Sequence, residues 1–326
     1  MIAVTGANGL LGSFIINRFI QENIPVIAIA RKPDLSIKHP LITWREADII
    51  DPVSLQEVLK GASCVIHAAA MVSFNPSAAK KVFETNVTGT RQVLDACQCL
   101  GINHIIHVSS VGALGKAKDT HVITEESKWI AGSFNTDYAE SKYLAELEVF
   151  RACEEGMFVS IVNPSVILSP GDWNRSSAKL FKFVWDEKIF YTHGQLNYVD
   201  VRDVAEVIFR LYENKEKVNG QKFIASAGSV DFLPFFQQVA QRFSKRAPFI
   251  KVPAPLITLA SFIESIRCYM TGSEPLIVAK TLRANRQKFV YSSEKAAQQL
   301  KMQFRALNET LDWCCTKYLA DNTINK

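Results

Sequence analysis

The segment Thr5-Gly6-Ala7-Asn8-Gly9-Leu10-Leu11-Gly12 follows directly on the apolar run Ile2–Thr5 and opens a helical pattern, Leu10–Glu22. A strand that passes into a helix through three glycines at this spacing has few uses. Gly6 permits a tight turn, Gly9 leaves the backbone open to close approach, and Gly12 lets the helix lie against the strand it has just left. The first N–H groups of such a helix have no partner within it, and its dipole favours an anion, so the turn suits a pyrophosphate. Three glycines alone say little. Placed between a strand and a helix at the head of an alternating α/β chain, they say much more.

The alternation continues. Pro25–Ala30, Cys64–His67, His104–Ser109 and Phe158–Asn163 read as apolar strands, with a weaker one at Ile42–Arg45. Helical patterns at Pro52–Lys60, Pro76–Cys99 and Thr136–Glu155 separate them. Strands alternating with helices predict βαβ units and a parallel sheet with right-handed crossovers. A continuous apolar strand such as Val26-Ile27-Ala28-Ile29-Ala30 suits a sheet covered on both faces. After Pro164 the pattern loosens into shorter elements rich in Pro, Gly and aromatic residues. The expected fold is therefore α/β, a Rossmann-type doubly wound parallel sheet with a smaller C-terminal substrate-binding lobe. The dinucleotide-binding domain is expected over residues 1–165 with a return segment near 196–215. The smaller, mixed α/β lobe is expected over 166–326.

Composition narrows the partners. With 48% of its 326 residues apolar, the chain can bury a large core. Its 37 Lys and Arg against 32 Asp and Glu leave a surplus of +5, and no window stacks five or six basic residues. Neither nucleic acid nor an anionic membrane is therefore expected. The apolar stretch Val252–Ile263 is interrupted by prolines and falls short of the roughly 20 residues a bilayer needs. The segment Pro253–Met270 reads instead as a packing helix. The start of the chain has no secretory pattern, so a cytoplasmic protein with free thiols is expected. The seven cysteines lack zinc-ligand spacing, and no metal is expected.

Further landmarks follow in order: Asp48, His67-Ala68-Ala69-Ala70, Thr85-Asn86-Val87-Thr88-Gly89-Thr90, Ser109-Ser110, Tyr138-Ala139-Glu140-Ser141-Lys142, Asn163-Pro164 and Tyr198–Ala205. With the Gly-x-x-Gly-x-x-Gly turn, they make the first two hundred residues resemble the extended short-chain dehydrogenases/reductases, the NAD(P)-dependent epimerase/dehydratase superfamily. Within it the chain looks like the dihydroflavonol 4-reductase, cinnamoyl-CoA reductase and 3β-hydroxysteroid dehydrogenase group. The resemblance implies cofactor contacts at Thr5, Gly6, Asn8, Gly9, Leu10, Leu11, Gly12, Ile49, Ala68, Ala69, Ala70, Ser109, Asn163, Pro164, Ser165 and Val166, and at Tyr138 and Lys142. It also implies a homodimer built from the helices at 76–99 and 136–155. Asp48 stands open between a bond to the adenine amino group and a loop cap. His67 reads as a packed strand residue.

The end of the second strand bears on the cofactor. An NAD enzyme places an acid there for the ribose hydroxyls, whereas this chain has Arg31 and Lys32, with no acid before Asp34. Both basic residues suit a 2′-phosphate, so NADP is expected, with NAD as the alternative.

Tyr138 and Lys142 lie four apart and share one helix face. A phenol with a pKa near 10 is a poor acid–base catalyst unless a cation, such as Lys142 or an oxidised nicotinamide, stabilises its phenolate. By resemblance, Ser110, Tyr138 and Lys142 are the catalytic residues of a hydride transfer. Asn86 is either a fourth active-site residue or a polar group inside a helix. Dehydratases of the superfamily carry an Asp-Glu pair where this chain has Val111-Gly112. Its epimerases carry a basic residue where this chain has Leu196. Both departures disfavour a nucleotide sugar. Met71, Phe74, Val111, Val166, Ile167 and Trp173 form a candidate apolar pocket wall. The expected function is NADP-dependent reduction of a ketone or aldehyde on a hydrophobic or aromatic small molecule. A nucleotide-sugar epimerase and a non-catalytic NADP-binding redox sensor are the alternatives.

Overall fold

A computed structural model describes residues 1–116, 121–132, 135–173, 177–253 and 288–324. Nearly all of Pro253–Met270, most of Val252–Ile263, and Cys268 lie outside the described residues.

Seven parallel strands form the central sheet: β1 (Ile2–Thr5), β2 (Val26–Ala30), β3 (Ile42–Glu46), β4 (Cys64–His67), β5 (His104–Val108), β7 (Phe158–Pro164) and β11 (Gln221–Ala225). Their order is β3-β2-β1-β4-β5-β7-β11, and every neighbouring pair is parallel. The chain builds outward from β1 in one direction and then resumes at β4 on the other side. Between those two strands lies the switch point, outside whose carboxyl ends open α/β sheets bind ligands.

Alternating residues of each strand serve opposite faces. On one face, Ile2 and Val4 of β1 and Val26 and Ala28 of β2 pack with α1 (Leu10–Gln21) and α7 (Val201–Glu213). On the other, Ala3, Ile27 and Ile29 pack with residues of α2 (Pro52–Val58), α4 (Gly89–Cys99) and α5 (Asp137–Glu154). All four residues of β1 are buried, as its unbroken apolar run requires.

The helical pattern Pro76–Cys99 is not one helix. It divides into a 3-10 turn at Pro76–Ala78, α3 (Ala79–Phe83), a π-helical turn at Glu84–Thr88, and α4. The wider turn surrounds Asn86, whose amide is bonded away from the helix. Single π-turns of this kind commonly accompany functional sites.

Beyond β7 the chain forms a second, smaller sheet from β8 (Val166–Leu168), β10 (Gln195–Asp200) and β12 (Gly228–Asp231). An aromatic core packs beside it, with Phe181 of α6 (Ala178–Trp185), Phe235 of α8 (Phe232–Phe243) and Tyr318 of α10 (Leu307–Ile324). The remaining described elements are the strands β6 (Val122–Ile123), β9 (Phe190–Tyr191), β13 (Ile250–Lys251) and β14 (Val290–Tyr291), and the helix α9 (Glu294–Gln299). The return to the large sheet is made by α7, which packs on α1, and then by β11. No described helix is long and apolar enough to cross a membrane.

Candidate active site

Gly6 adopts φ +70°, in the left-handed region that glycine enters freely, and a Cβ there would lie 2.8 Å from the backbone of Ala69. A Cβ on Gly12 would overlap the carbonyl oxygen of Gly6 and lie 2.8 Å from that of Ala7. The turn is thus pressed between the end of β4 and its own helix. Gly9, the N-cap of α1, offers no side-chain cap, and the first turn carries no acid. The helix N-terminus is therefore suited to an anion, and the residues present fit a dinucleotide pyrophosphate. Leu10 and the buried Leu11 begin this helix.

The switch point is bonded across its width. Thr5 Oγ1 is hydrogen-bonded to His67 Nδ1 at 2.8 Å and accepts from the Ala69 amide at 3.2 Å. His67 Nε2 is bonded to Thr90 Oγ1 at 3.0 Å, and that hydroxyl donates to the Asn86 carbonyl at 2.6 Å. Burial and the Lys142 charge press the imidazole pKa down to about 3, so His67 is a neutral tie within the sheet. Ala68 and Ala69 are half-buried and Ala70 is exposed.

The turn is also tied to the end of β2. Ala7 N donates to Ile29 O at 3.1 Å, and Asn8 Nδ2 donates to the Lys32 carbonyl. This brings the backbone of the exposed Arg31-Lys32 pair beside the phosphate turn. Asp34 accepts from the amide and hydroxyl of Ser36 at 3.1 and 2.5 Å. Asp48 accepts from the Ile50 amide at 3.3 Å, and Ile49 is buried against Gly89.

Ser110 ends the β5 segment. Its Oγ accepts from Gly112 N at 3.0 Å, and it stands beside the Tyr138 phenol, whose ionised form it favours. Thr136 caps α5 by accepting from Ala139 N at 3.1 Å, which fixes the turn that carries Tyr138. The partly buried Tyr138 is held above the usual phenol range by burial, which outweighs the lowering by Ser110. This differs from the expectation of a cation-stabilised phenolate. Lys142 is fully buried, and its Nζ donates to Val108 O at 2.7 Å and approaches His107 Nε2 at 3.4 Å. Burial lowers the Lys142 pKa to about 8 against an opposing effect from Glu146. Burial, then Lys142 and His67, hold His107 well below the usual histidine range.

Asn86 joins two parts of the site. It accepts from Met71 N at 2.7 Å and donates to Met71 O at 3.0 Å and Ser141 Oγ at 2.9 Å. Ser141 Oγ in turn donates to Tyr138 O at 2.8 Å. Asn86 thereby ties the loop after β4 to the helix that carries Tyr138. In that loop, the Phe74 ring stands edge-on to Tyr138 with centroids 5.9 Å apart. Met71 and Val111 are half-buried, and Val166 is exposed. Ile167 packs against the core of the large sheet. Trp173 lies in the aromatic core beside the smaller sheet, with its ring 4.2 Å from that of Tyr318.

Glu146 was not singled out from the sequence, although it continues the Tyr138–Lys142 row by four more residues. The carboxylate is buried and accepts from Ser109 Oγ at 2.5 Å and Asn163 Nδ2 at 2.6 Å. Asn163 Nδ2 also donates to Ser110 O at 3.0 Å. Pro164 pairs with Ala225, and Ser165 N donates to Ala225 O at 2.9 Å. Among the described residues no group of three or more His, Cys, Asp or Glu could hold a metal.

Comparisons with known proteins bear on the family and the fold. The family model described as NAD dependent epimerase/dehydratase matches residues 2–225, more than half of the chain. A Synechocystis sp. protein provisionally named dihydroflavonol 4-reductase is 25% identical over 315 residues, covering 94% of this chain and 91% of its own length. Cinnamoyl-CoA reductase 1 of Petunia hybrida is 28% identical over 235 residues, covering 66% of this chain and 70% of its own length. The structure of UDP-glucose 4-epimerase from Thermotoga maritima with UDP-glucose shares the fold at a TM-score of 0.80 and 17% identity, over 99% of both chains. The fold alone therefore does not choose between substrates. The chain is an enzyme of the NAD dependent epimerase/dehydratase family.

Proposed function

We propose that the enzyme reduces a ketone or aldehyde on a hydrophobic or aromatic small molecule, with NADPH as reductant. The observation that carries this reading is the placement of Ser110, just after β5, beside the Tyr138 phenol, with the buried Lys142 four residues along the same helix. The named reductases among its relatives support the same reaction class.

When bound along the glycine turn, the reduced cofactor supplies hydride to the carbonyl carbon. Ser110 donates a hydrogen bond to the carbonyl oxygen and orients it. Tyr138 delivers a proton to that oxygen, so that hydride and proton together convert the carbonyl to an alcohol. The raised phenol pKa keeps Tyr138 protonated in the neutral range, as a proton donor requires. Lys142 in its ammonium form offsets the negative charge that develops on the phenolic oxygen.

Two features favour a carbonyl compound over a nucleotide sugar. Leu196, in the position of the epimerases' basic residue, is buried in the core of the smaller lobe. Val111–Ala113 form a 3-10 turn beside Ser110, with the non-ionisable Val111 and Gly112 where the dehydratases have an acidic pair. Phe74, edge-on to Tyr138 and partly exposed, supplies an aromatic surface next to the reacting hydroxyl.

The exposed Arg31 and Lys32 support NADP as the cofactor, because a guanidinium forks onto the 2′-phosphate and an ammonium adds charge. Arg31→Ala is expected to raise the KM for NADPH by about tenfold and that for NADH by less than about twofold. Steady-state kinetics with both cofactors checks this, and equal changes would contradict the assignment. The purified enzyme is expected to oxidise NADPH when given an aromatic aldehyde or ketone. NADPH binding without turnover across such a panel would favour the sensor.

A further inference from the structure

We propose that Glu146 is a positioning residue, whose carboxylate fixes the Ser109–Ser110 strand end and, one turn beyond Lys142 on the same helix face, supplies the negative charge that supports the Lys142 ammonium. The inference rests on the reading of Tyr138 and Lys142 as the reacting pair. Glu146 lies eight residues after Tyr138 and four after Lys142, so the three occupy one face of α5.

One of its carboxylate oxygens accepts from Ser109 Oγ and from Asn163 Nδ2, at 2.5 and 2.6 Å. The same Asn163 amide reaches the Ser110 carbonyl at 3.0 Å. A single buried oxygen thus joins the helix to the ends of β5 and β7 and holds the backbone from which Ser110 meets Tyr138. The second oxygen faces Lys222 Nζ of β11 at 3.4 Å.

A neutral glutamine could accept both hydrogen bonds at the first oxygen. A full charge is costly in this fully packed position unless cations face it, and the second oxygen faces one. The charge itself therefore has a use. The titratable groups that bear on Lys142 are Glu146 on its own helix, His107 on β5 and His67 on β4, and Lys222 of β11 stands 3.4 Å from Glu146. Beyond Lys222 stands Lys295 of α9, which Glu125 and Glu126 also influence. Both histidines are neutral near pH 7, which leaves Glu146 as the charge acting on Lys142, and Lys222, 3.4 Å from the Glu146 carboxylate, as the cation that offsets it.

Those signs give opposed expectations. Burial sets Lys142 at about 8 with Glu146 acting upward, so Glu146→Gln should lower the midpoint and Lys222→Gln should raise it. The test is an NMR pH titration of the full chain with 13Cε-labelled lysine, the Lys142 signal being assigned by its loss in Lys142→Arg. Glu146→Gln is expected to move the midpoint down by on the order of one pH unit, and Lys222→Gln to move it up by about half a unit. NADPH affinity, followed by its fluorescence, should weaken at correspondingly lower and higher pH in the two variants.

A merely structural Glu146 would lower melting temperature without opposed shifts. An unmoved Lys142 midpoint in Glu146→Gln, or movement of both variants in one direction, would overturn the proposal. If Glu146→Gln does not fold, Lys222→Gln still decides, since an unmoved or lowered midpoint there contradicts it. Full turnover in Tyr138→Phe would instead overturn the reading of the reacting pair. Lost turnover in Tyr138→Phe with unmoved midpoints would remove only the role given to Glu146.

Discussion

Tyr138→Phe is expected to lower turnover by about 10²- to 10⁴-fold while leaving NADPH affinity within about threefold of the parent. The substitution removes one oxygen and keeps the ring, so the edge-on contact with Phe74 survives. What disappears is the hydroxyl that donates the proton and that stands beside Ser110. Hydride arriving at a carbonyl carbon leaves an alkoxide that must be protonated, and Ser110 alone has no buried cation on its own element to support that transfer. Binding should barely change, because the turn Thr5–Gly12 and the end of β2 do not involve the phenol. Stopped-flow or steady-state kinetics separates the two quantities. Near-parent turnover in this variant would place the proton donor elsewhere.

Gly12→Ala is expected to weaken NADPH binding by about tenfold or more and to lower the melting temperature. Helix propensity alone argues the other way, since Ala is better than Gly in a helix by roughly 1 kcal/mol. Gly12 lies in the first turn of α1, however, where the added Cβ would overlap the Gly6 carbonyl and crowd Ala7. Both obstacles are backbone atoms, and no rotamer change relieves them. Overpacking of this kind costs about 1–3 kcal/mol, which outweighs the propensity gain. The helix can make room only by moving away from the turn, and that carries its N–H groups away from the pyrophosphate. Fluorescence titration and thermal melting measure both effects. Unchanged affinity with a raised melting temperature would show that the turn is not packed as described.

Much of the large sheet was legible because its central strands are buried on both faces and must be apolar throughout. Ile2–Thr5 and Cys64–His67 coincide with their predicted bounds for that reason. The edge strand β3 reads weakly, since Thr43, Arg45 and Glu46 face solvent or partners at the margin. The seventh strand was harder still. It opens with Gln221 and Lys222 and offers only Phe223-Ile224-Ala225 as an apolar run, so it is recognisable chiefly by its pairing with β7. Periodicity also ran Pro76–Cys99 together, because the π-helical turn around Asn86 leaves the apolar pattern intact while rotating one amide toward Met71 and Ser141.

The candidate site divides along the same line. Local features are visible in one dimension: the glycine spacing, the Tyr138–Lys142 row and the basic pair after β2. Partnerships that close over long sequence distances are not. Glu146 meets Asn163 and Lys222, and Trp173 meets Tyr318, only because separate strands and helices converge. The sheet edge that carries Ser110 is held by such distant groups, so the sequence alone does not mark the Glu146 carboxylate.

The most direct test of the central claim follows the hydride itself. Enzyme is supplied with NADPH carrying deuterium at the transferring C4 position, together with an aromatic ketone or aldehyde, and the product is analysed by mass spectrometry. A parallel reaction contains UDP-glucose. The expected result is an alcohol with one deuterium on the former carbonyl carbon, and UDP-glucose recovered unchanged. Epimerised UDP-sugar, with no deuterated alcohol from any carbonyl compound offered, would contradict it.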